Sequence, residues 1–139
     1  IFKQNKRVNM VVGLGIDIID NRRIENTIIK FGQKFKKRCF LDNEIKKSEK
    51  RLKKINFFAK RYAAKEACAK ALGTGLAKGV FWKDIEVFND HNGKPFIRLH
   101  NKALSLLNKN FNFPCKIELS LSDEKNYSIA NVIIFKHEK

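Results

Sequence analysis

The chain has 139 residues of which 43% are hydrophobic, enough for one domain that buries roughly 70% of the surface its unfolded form exposes, and too apolar for a disordered basic tail. Lys and Arg number 30 against 14 Asp and Glu, a formal charge of +16, so the surface attracts polyanions: nucleic acid, anionic membrane, phosphorylated ligands or an acidic protein. No apolar run is long enough to span a bilayer, residues 1–9 lack the apolar segment of a signal peptide, and no RNP-type aromatic signature or zinc finger accompanies the charge.

Met10 precedes the first apolar run and reads as a natural start. Residues 1–9 are then an N-terminal extension or cloning remnant, and residues 10–139 a single domain. Residues 11–19, VVGLGIDII, are near-continuously apolar with β-branched members, which predicts a buried strand. Gly13 and Gly15 fall on one face of it and predict close approach of another backbone or a ligand. No third glycine opens a helix after them, so they are not a dinucleotide fingerprint. Asp17 is the one charge in the run, and an unpaired buried carboxylate is costly. A metal, a catalytic proton, or a capping or ion-pair partner would each satisfy it.

Asp20 or Asn21 caps a first helix, in which Ile24, Ile28 and Phe31 recur at helical spacing and which Gly32 ends. Arg22, Arg23 and Lys30 lie off that stripe, solvated or facing an acidic partner. Residues 34–40 form a short basic–aromatic segment. Asp42 or Asn43 caps a second helix, whose lysines through Lys54 read as a solvated face.

Residues 57–75, FFAKRYAAKEACAKALGTG, predict a helix running into a glycine-bracketed turn, with Gly73 at the C′ position. Its alanines let another backbone or subunit approach closely. Glu66 is a single acid among Lys60, Arg61, Lys65 and Lys70. Arg61 and Lys65, and likewise Glu66 and Lys70, are spaced to share one helix face. Glu66 is therefore either half of a weak exposed ion pair or a carboxylate held for a metal, with cations beside it for phosphates.

A loop with Lys78 and Gly79 follows, then a strand over residues 81–88 with Trp82 near its start. Asn92 and Gly93 form the hairpin dipeptide, and residues 95–99 return as a strand. Ala103, Leu104, Leu106 and Leu107 mark a short amphipathic helix. Residues 116–121 and 127–135 are the last two strands. The order predicts an α+β fold, helices packed on an antiparallel sheet. Cys39, Cys68 and Cys115, like His91, His100 and His137, show no metal-ligand spacing, and the cysteines read as reduced thiols of a cytosolic protein.

Four segments together resemble the holo-acyl-carrier-protein synthases, the small phosphopantetheinyl transferases. GLGIDII with Arg23 and Ile24 resembles the opening strand and helix of that family. RYAAKEACAKALGTG resembles its central signature, DIEVFNDHNGKPFIRL its hairpin, and LSLSDEKNYSIANVII its final strands. The likeness runs in order over residues 10–135.

The resemblance implies transfer of the 4′-phosphopantetheine arm of coenzyme A to a serine of apo-acyl carrier protein. Adenosine 3′,5′-bisphosphate is released, in cytoplasmic fatty acid biosynthesis. Breaking a pyrophosphate needs charge neutralisation and in-line positioning, which suits magnesium. By resemblance Asp17 and Glu66 are the magnesium ligands, and Lys70 stands near the transferring phosphate. Lys65 or Arg61 either assists or is solvated. A metal-bound water, Asp17 or Glu66 is the general base. Gly73, Thr74 and Gly75 offer backbone N–H groups and a hydroxyl to coenzyme A. A helix C-terminus is the wrong end for an anion, so lysines supply the attraction. Lys94 and Pro95 match a contact near the nucleotide. Arg22 and Arg23, with Lys30 and Lys34, would dock the acidic carrier, and the family's homotrimer places its site at the subunit interface. Asp123 stands where many members carry histidine, which puts that ligand contact in doubt. The rival readings are a small basic nucleic-acid-binding domain, which leaves Asp17 and Glu66 without a purpose, and an inactive scaffold of the same fold.

Overall fold

The computed structural model describes residues 10–76 and 81–137. The N-terminal extension and the loop residues Lys78 and Gly79 lie outside the described residues. Strand β1 (Val11–Asp20) pairs antiparallel with β5 (Tyr127–Lys136), whose other edge pairs antiparallel with β4 (Cys115–Asp123). In this three-stranded sheet, Gly15 stands opposite Val132 and Asp17 opposite Ala130. Ser128, Ala130, Val132 and Ile134 alternate along β5 and are all buried, as strand period dictates for the central strand of a sheet with one covered face. Strands β2 (Ile85–Asn89) and β3 (Pro95–Leu99) form a separate hairpin. Its turn is closed by the Asp90 N–H donating to Lys94 O at 2.9 Å, with Gly93 at φ 84°.

The helices are α1 (Asn21–Phe31), α2 (Gln33–Cys39), α3 (Asp42–Glu49), α4 (Lys54–Ala71) and α5 (Asn101–Asn110). Asp20 caps α1 by accepting the Arg22 N–H at 2.9 Å, and Gly32 ends it with φ 53°. At α3 the N-cap is Leu41 rather than Asp42 or Asn43, and Glu44 secures this end by accepting the Leu41 N–H at 2.8 Å. Gly73 leaves α4 with φ 88° and donates its N–H to Lys70 O at 2.9 Å.

α4 is the spine of the molecule. Ala59, Ala63, Ala64, Ala67 and Ala71 pack it into the core at 6% exposure or less. The two β1 glycines let it lie directly on the sheet: a Cβ on Gly13 would sit 2.4 Å from Ala71 O, and one on Gly15 would sit 1.8 Å from Ala67 O.

Two local expectations are corrected. β1 is buried on one face only: Leu14, Ile16 and Ile18 are 66, 58 and 63% exposed, because nothing in the described chain covers that side. The stretch after Phe81 begins as a 3₁₀ turn over Trp82–Asp84, and the strand starts at Ile85. Trp82 is instead drawn onto Tyr62 of α4, the rings stacking at 4.4 Å.

Candidate active site

β1 and α4 meet where the glycines permit, and this contact brings Asp17 onto the side of α4 that carries Lys70. The Lys70 ammonium donates to Ile16 O and to Asp17 Oδ1, each at 3.0 Å. The expected Glu66–Lys70 pair is thus replaced by Asp17–Lys70. Glu66 lies one turn back, half-buried. Burial pushes its carboxyl above the ordinary glutamate value and the negative charge of Asp17 raises it further, while Lys70 and Arg23 pull it down. Burial likewise raises the Tyr62 hydroxyl, with Glu66 and Asp17 adding to the effect. Asp17, Arg23, Tyr62, Glu66 and Lys70 therefore form one electrostatic neighbourhood, drawn from β1, the start of α1 and three successive turns of α4. Tyr62 escaped sequence reasoning, although its spacing from Glu66 on one helix face was the available signal.

A half-buried glutamate whose carboxyl is raised by the negative charge of Asp17 beside it is a poor apo arrangement, and the two carboxylates together are a good seat for a small divalent cation. Magnesium needs only one or two carboxylates when substrate phosphates and waters complete its shell. Asp17 and Glu66 fit that requirement. Among the described residues no group of three or more His, Cys, Asp or Glu assembles into a full protein cage.

The arginine pair stands at the head of α1. Asn21 fastens this end by donating through Nδ2 to Glu124 O at 3.1 Å and accepting the Ser128 hydroxyl at 2.7 Å. Arg22 folds back on Asp20 in a two-pronged ion pair, at 2.9 and 2.7 Å, whereas Arg23 is exposed. Between α1 and α2 lies a hollow of about 290 Å³ lined by Thr27, Phe31, Lys34, Phe35 and Arg38.

Gly73, Thr74 and Gly75 are placed otherwise than expected. Their N–H groups are already spent on Lys70 O at 2.9 Å and on Ala69 O at 3.3 and 3.1 Å, and the Thr74 hydroxyl donates to Gly75 O at 2.9 Å. The glycines contribute open space: no atom lies within 4 Å of where a Cβ would stand on either.

Neither Lys65 nor Arg61 is solvated or free for phosphate. Lys65 is wholly buried, donating to Glu44 Oε1 at 2.8 Å and Trp82 O at 3.0 Å, because α3 supplies a carboxylate that its own helix cannot. Desolvation pushes its ammonium below the ordinary lysine value, while Glu44 pulls it back up. Arg61 is 2% exposed; it donates to Asn89 Oδ1 at 2.9 Å, and its Nε has no partner among the described residues.

Pro95 and Lys94 stand at a second locus. Pro95 lines a hollow of about 280 Å³ with Phe57, Lys60, Asn89, Gly93 and Leu119. Lys94 leans on Phe96 and pairs with Glu118 at 3.6 Å. A neighbouring hollow of about 420 Å³ shares Asn89 and Gly93 and is lined by Lys47, Lys50, Arg51, Asp90 and His91. Three cations, Arg51, Lys60 and Arg61, approach the Phe57 ring at 4.6, 4.7 and 5.0 Å. The two hollows form a basic, aromatic-floored trough. None of its lining residues belongs to the Asp17–Glu66 cluster of the same chain.

A family model described as the 4′-phosphopantetheinyl transferase superfamily matches residues 13–132. The holo-[acyl-carrier-protein] synthase of Rhizobium meliloti (strain 1021) is 49% identical over 127 residues, covering 90% of this chain and 91% of that protein. The crystal structure of holo-[acyl-carrier-protein] synthase from Neisseria meningitidis superposes with a TM-score of 0.79 at 37% identity, covering 94% of this chain and 100% of that one. A holo-(acyl-carrier-protein) synthase from Bacillus anthracis, solved in complex with CoA (3′,5′-ADP), superposes at 0.75 with 36% identity, over 92% and 99% of the two chains.

Proposed function

The chain belongs to the 4′-phosphopantetheinyl transferase superfamily, among the holo-[acyl-carrier-protein] synthases, and from that premise we propose that it transfers phosphopantetheine from coenzyme A to a serine of apo-acyl carrier protein. The reaction is magnesium-dependent, releases adenosine 3′,5′-bisphosphate and serves fatty acid biosynthesis in the cytoplasm. No helix among the described residues is long and apolar enough to cross a membrane. The observation that carries this reading is the meeting of Asp17, Glu66 and Lys70 across the β1–α4 contact.

Asp17 and Glu66 hold the magnesium, which supplies charge neutralisation for the pyrophosphate. Lys70, fixed by Ile16 O and Asp17, keeps one ammonium proton for a phosphate oxygen that gains charge as the bond breaks. The nucleotide end of coenzyme A lies in the basic trough, its ring against Phe57 and Pro95 and its phosphates toward Lys47, Lys50 and Arg51. Gly73 and Gly75 leave room for the ligand near the end of α4. Arg23, with Lys34 and Arg38 around the hollow between α1 and α2, receives the acidic carrier. Such charges steer encounter and respond to salt.

The trough and the carboxylates share no residue within one chain, and this supports a homotrimer whose site is completed across subunits. The exposed face of β1 is the surface for it. Replacing Ile16 by Glu is expected to give a monomer by light scattering, because each buried Ile contributes about 1.5–3 kcal/mol, and to remove transfer while leaving the circular dichroism spectrum intact. A trimeric, active variant would overturn the assembly.

The reaction itself is tested by intact mass of apo-acyl carrier protein after incubation with the protein, coenzyme A and magnesium. The expected result is a gain of one phosphopantetheine that EDTA prevents. No gain from folded protein, joined to steeply salt-dependent RNA binding and no affinity for coenzyme A, would favour the nucleic-acid reading instead.

A further inference from the structure

The turn of α4 that starts with Asn56 carries a contact that the reaction has not used. Asn56 and Lys60 are one turn apart and both reach Asp123 at the end of β4. Asn56 Nδ2 donates to Asp123 Oδ2 at 2.8 Å, and Lys60 Nζ lies 3.4 Å from Asp123 Oδ1. Leu119, Leu121 and Asp123 alternate onto one face of β4, and the first two line the same hollow as Lys60. The Lys60 side chain is only 20% exposed, its stem lies along that hollow, and its ammonium sits 4.7 Å above the Phe57 ring.

Both Asp123 oxygens are engaged from a single helical turn, so the carboxylate acts as a fixed post. The lysine it holds is pinned on two sides, by the post and by the ring. An ammonium has three donors, and the 3.4 Å ion pair with Asp123 leaves donors for an anion. Lys60 lines a hollow that adjoins the one lined by Lys47, Lys50 and Arg51, so an anion there meets several cations. An ammonium held in place loses little freedom when it takes an anion.

We propose that Lys60, seated by Asp123 and Asn56, is a further ligand-binding residue of this protein: it takes a phosphate oxygen at the nucleotide end of coenzyme A. The inference rests on the proposed reading of the trough as the nucleotide site. Asp123 and Asn56 act through Lys60 and are positioning residues. Because a bare carboxylate beside a bisphosphate would repel it, the lysine both grips the ligand and cancels the charge of Asp123.

The two effects separate in a pair of variants, titrated calorimetrically with coenzyme A and with adenosine 3′,5′-bisphosphate. Lys60→Met keeps the stem over Phe57 and is expected to weaken both ligands about tenfold, the scale of a charge-assisted hydrogen bond. It should raise KM for coenzyme A to match, leave kcat nearly unchanged and flatten the salt dependence of binding. Adding Asp123→Asn to Lys60→Met is expected to recover part of the loss and to leave the ligands several-fold weaker than with the unaltered protein. A double variant that binds as tightly as the unaltered protein would overturn the proposal, reducing Lys60 to a screen for Asp123. So would a folded Lys60→Met protein with unchanged affinity. If the unaltered protein binds neither ligand, the reading of the trough falls first and this inference with it.

Discussion

Glu66→Gln is expected to lower phosphopantetheine transfer by at least about 10³-fold while making the metal-free protein harder to melt at neutral pH. The two effects share one origin. The Glu66 carboxyl is half-buried beside Asp17, and both burial and that neighbouring charge raise it above its ordinary value of 4.5. A carboxyl raised on folding contributes stability that is present below its unfolded value and is lost as the pH climbs through the folded one. The glutamine variant has no such loss. Its advantage in melting temperature should therefore open as the pH rises above about 4.5 and close in more acidic buffer. Magnesium is expected to raise the melting temperature of the unaltered protein and to do little for the variant. Asp17→Asn should behave oppositely in stability and alike in activity, because it strips Lys70 of the partner 3.0 Å away. Transfer by Glu66→Gln at more than roughly a tenth of the normal rate would refute its role as a metal ligand, and a lowered melting temperature would refute the apo repulsion.

Much of the site was legible in the chain because its signals are local. Gly13 and Gly15 announced a close backbone approach, and α4 lies there. Asp17 stood alone in an apolar strand, and Glu66 stood alone among cations. Gly32, Gly73 and Gly93 punctuated the elements they end, each at positive φ. The likeness to a known family named Asp17, Glu66 and Lys70 together, and the fold brings them together.

What stayed hidden depends on partners far away in sequence. Lys65 and Arg61 read as cations that either assist at the phosphate or are solvated, since nothing near them says that Glu44 and Asn89 will meet them inside. An apolar strand looks the same whether its second face is covered by its own chain or by another, so the open side of β1 was invisible. The N–H groups of residues 73–75 looked available because a helix that wraps its last carbonyls with them cannot be told from one that does not. Nothing in the sequence joins Lys60, one of the cations around Glu66, to Asp123, which stands where many family members carry histidine; the contact exists only because α4 and β4 lie side by side.

Gly15→Ala is the smallest substitution with the largest expected structural effect. The added Cβ would lie 1.8 Å from Ala67 O, 2.8 Å from Ala67 C and 2.9 Å from Ala71 N. All three are backbone atoms in the C-terminal part of α4, so no rotamer change relieves the clash and the helix must back away. Overpacking of this kind is expected to cost about 3 kcal/mol or more, read from a urea transition. Trimming the opposing side chain with Ala67→Gly should not restore it, because the collision is with a carbonyl that glycine retains. Gly73→Ala serves as the contrast. Its Cβ would meet no atom within 4 Å, so only the strain of φ 88° is felt, about 1–2 kcal/mol. The Gly15 variant should also lose transfer well below its unfolding transition. Retreat of α4 pulls Lys70 off Ile16 O and Asp17 and takes Glu66 with it, and loss of position at a phosphoryl-transfer site costs rate steeply. A Gly15→Ala protein as stable and active as the parent would mean that β1 and α4 do not meet as closely as described, and the convergence of Asp17 with Glu66 would have to be abandoned with it.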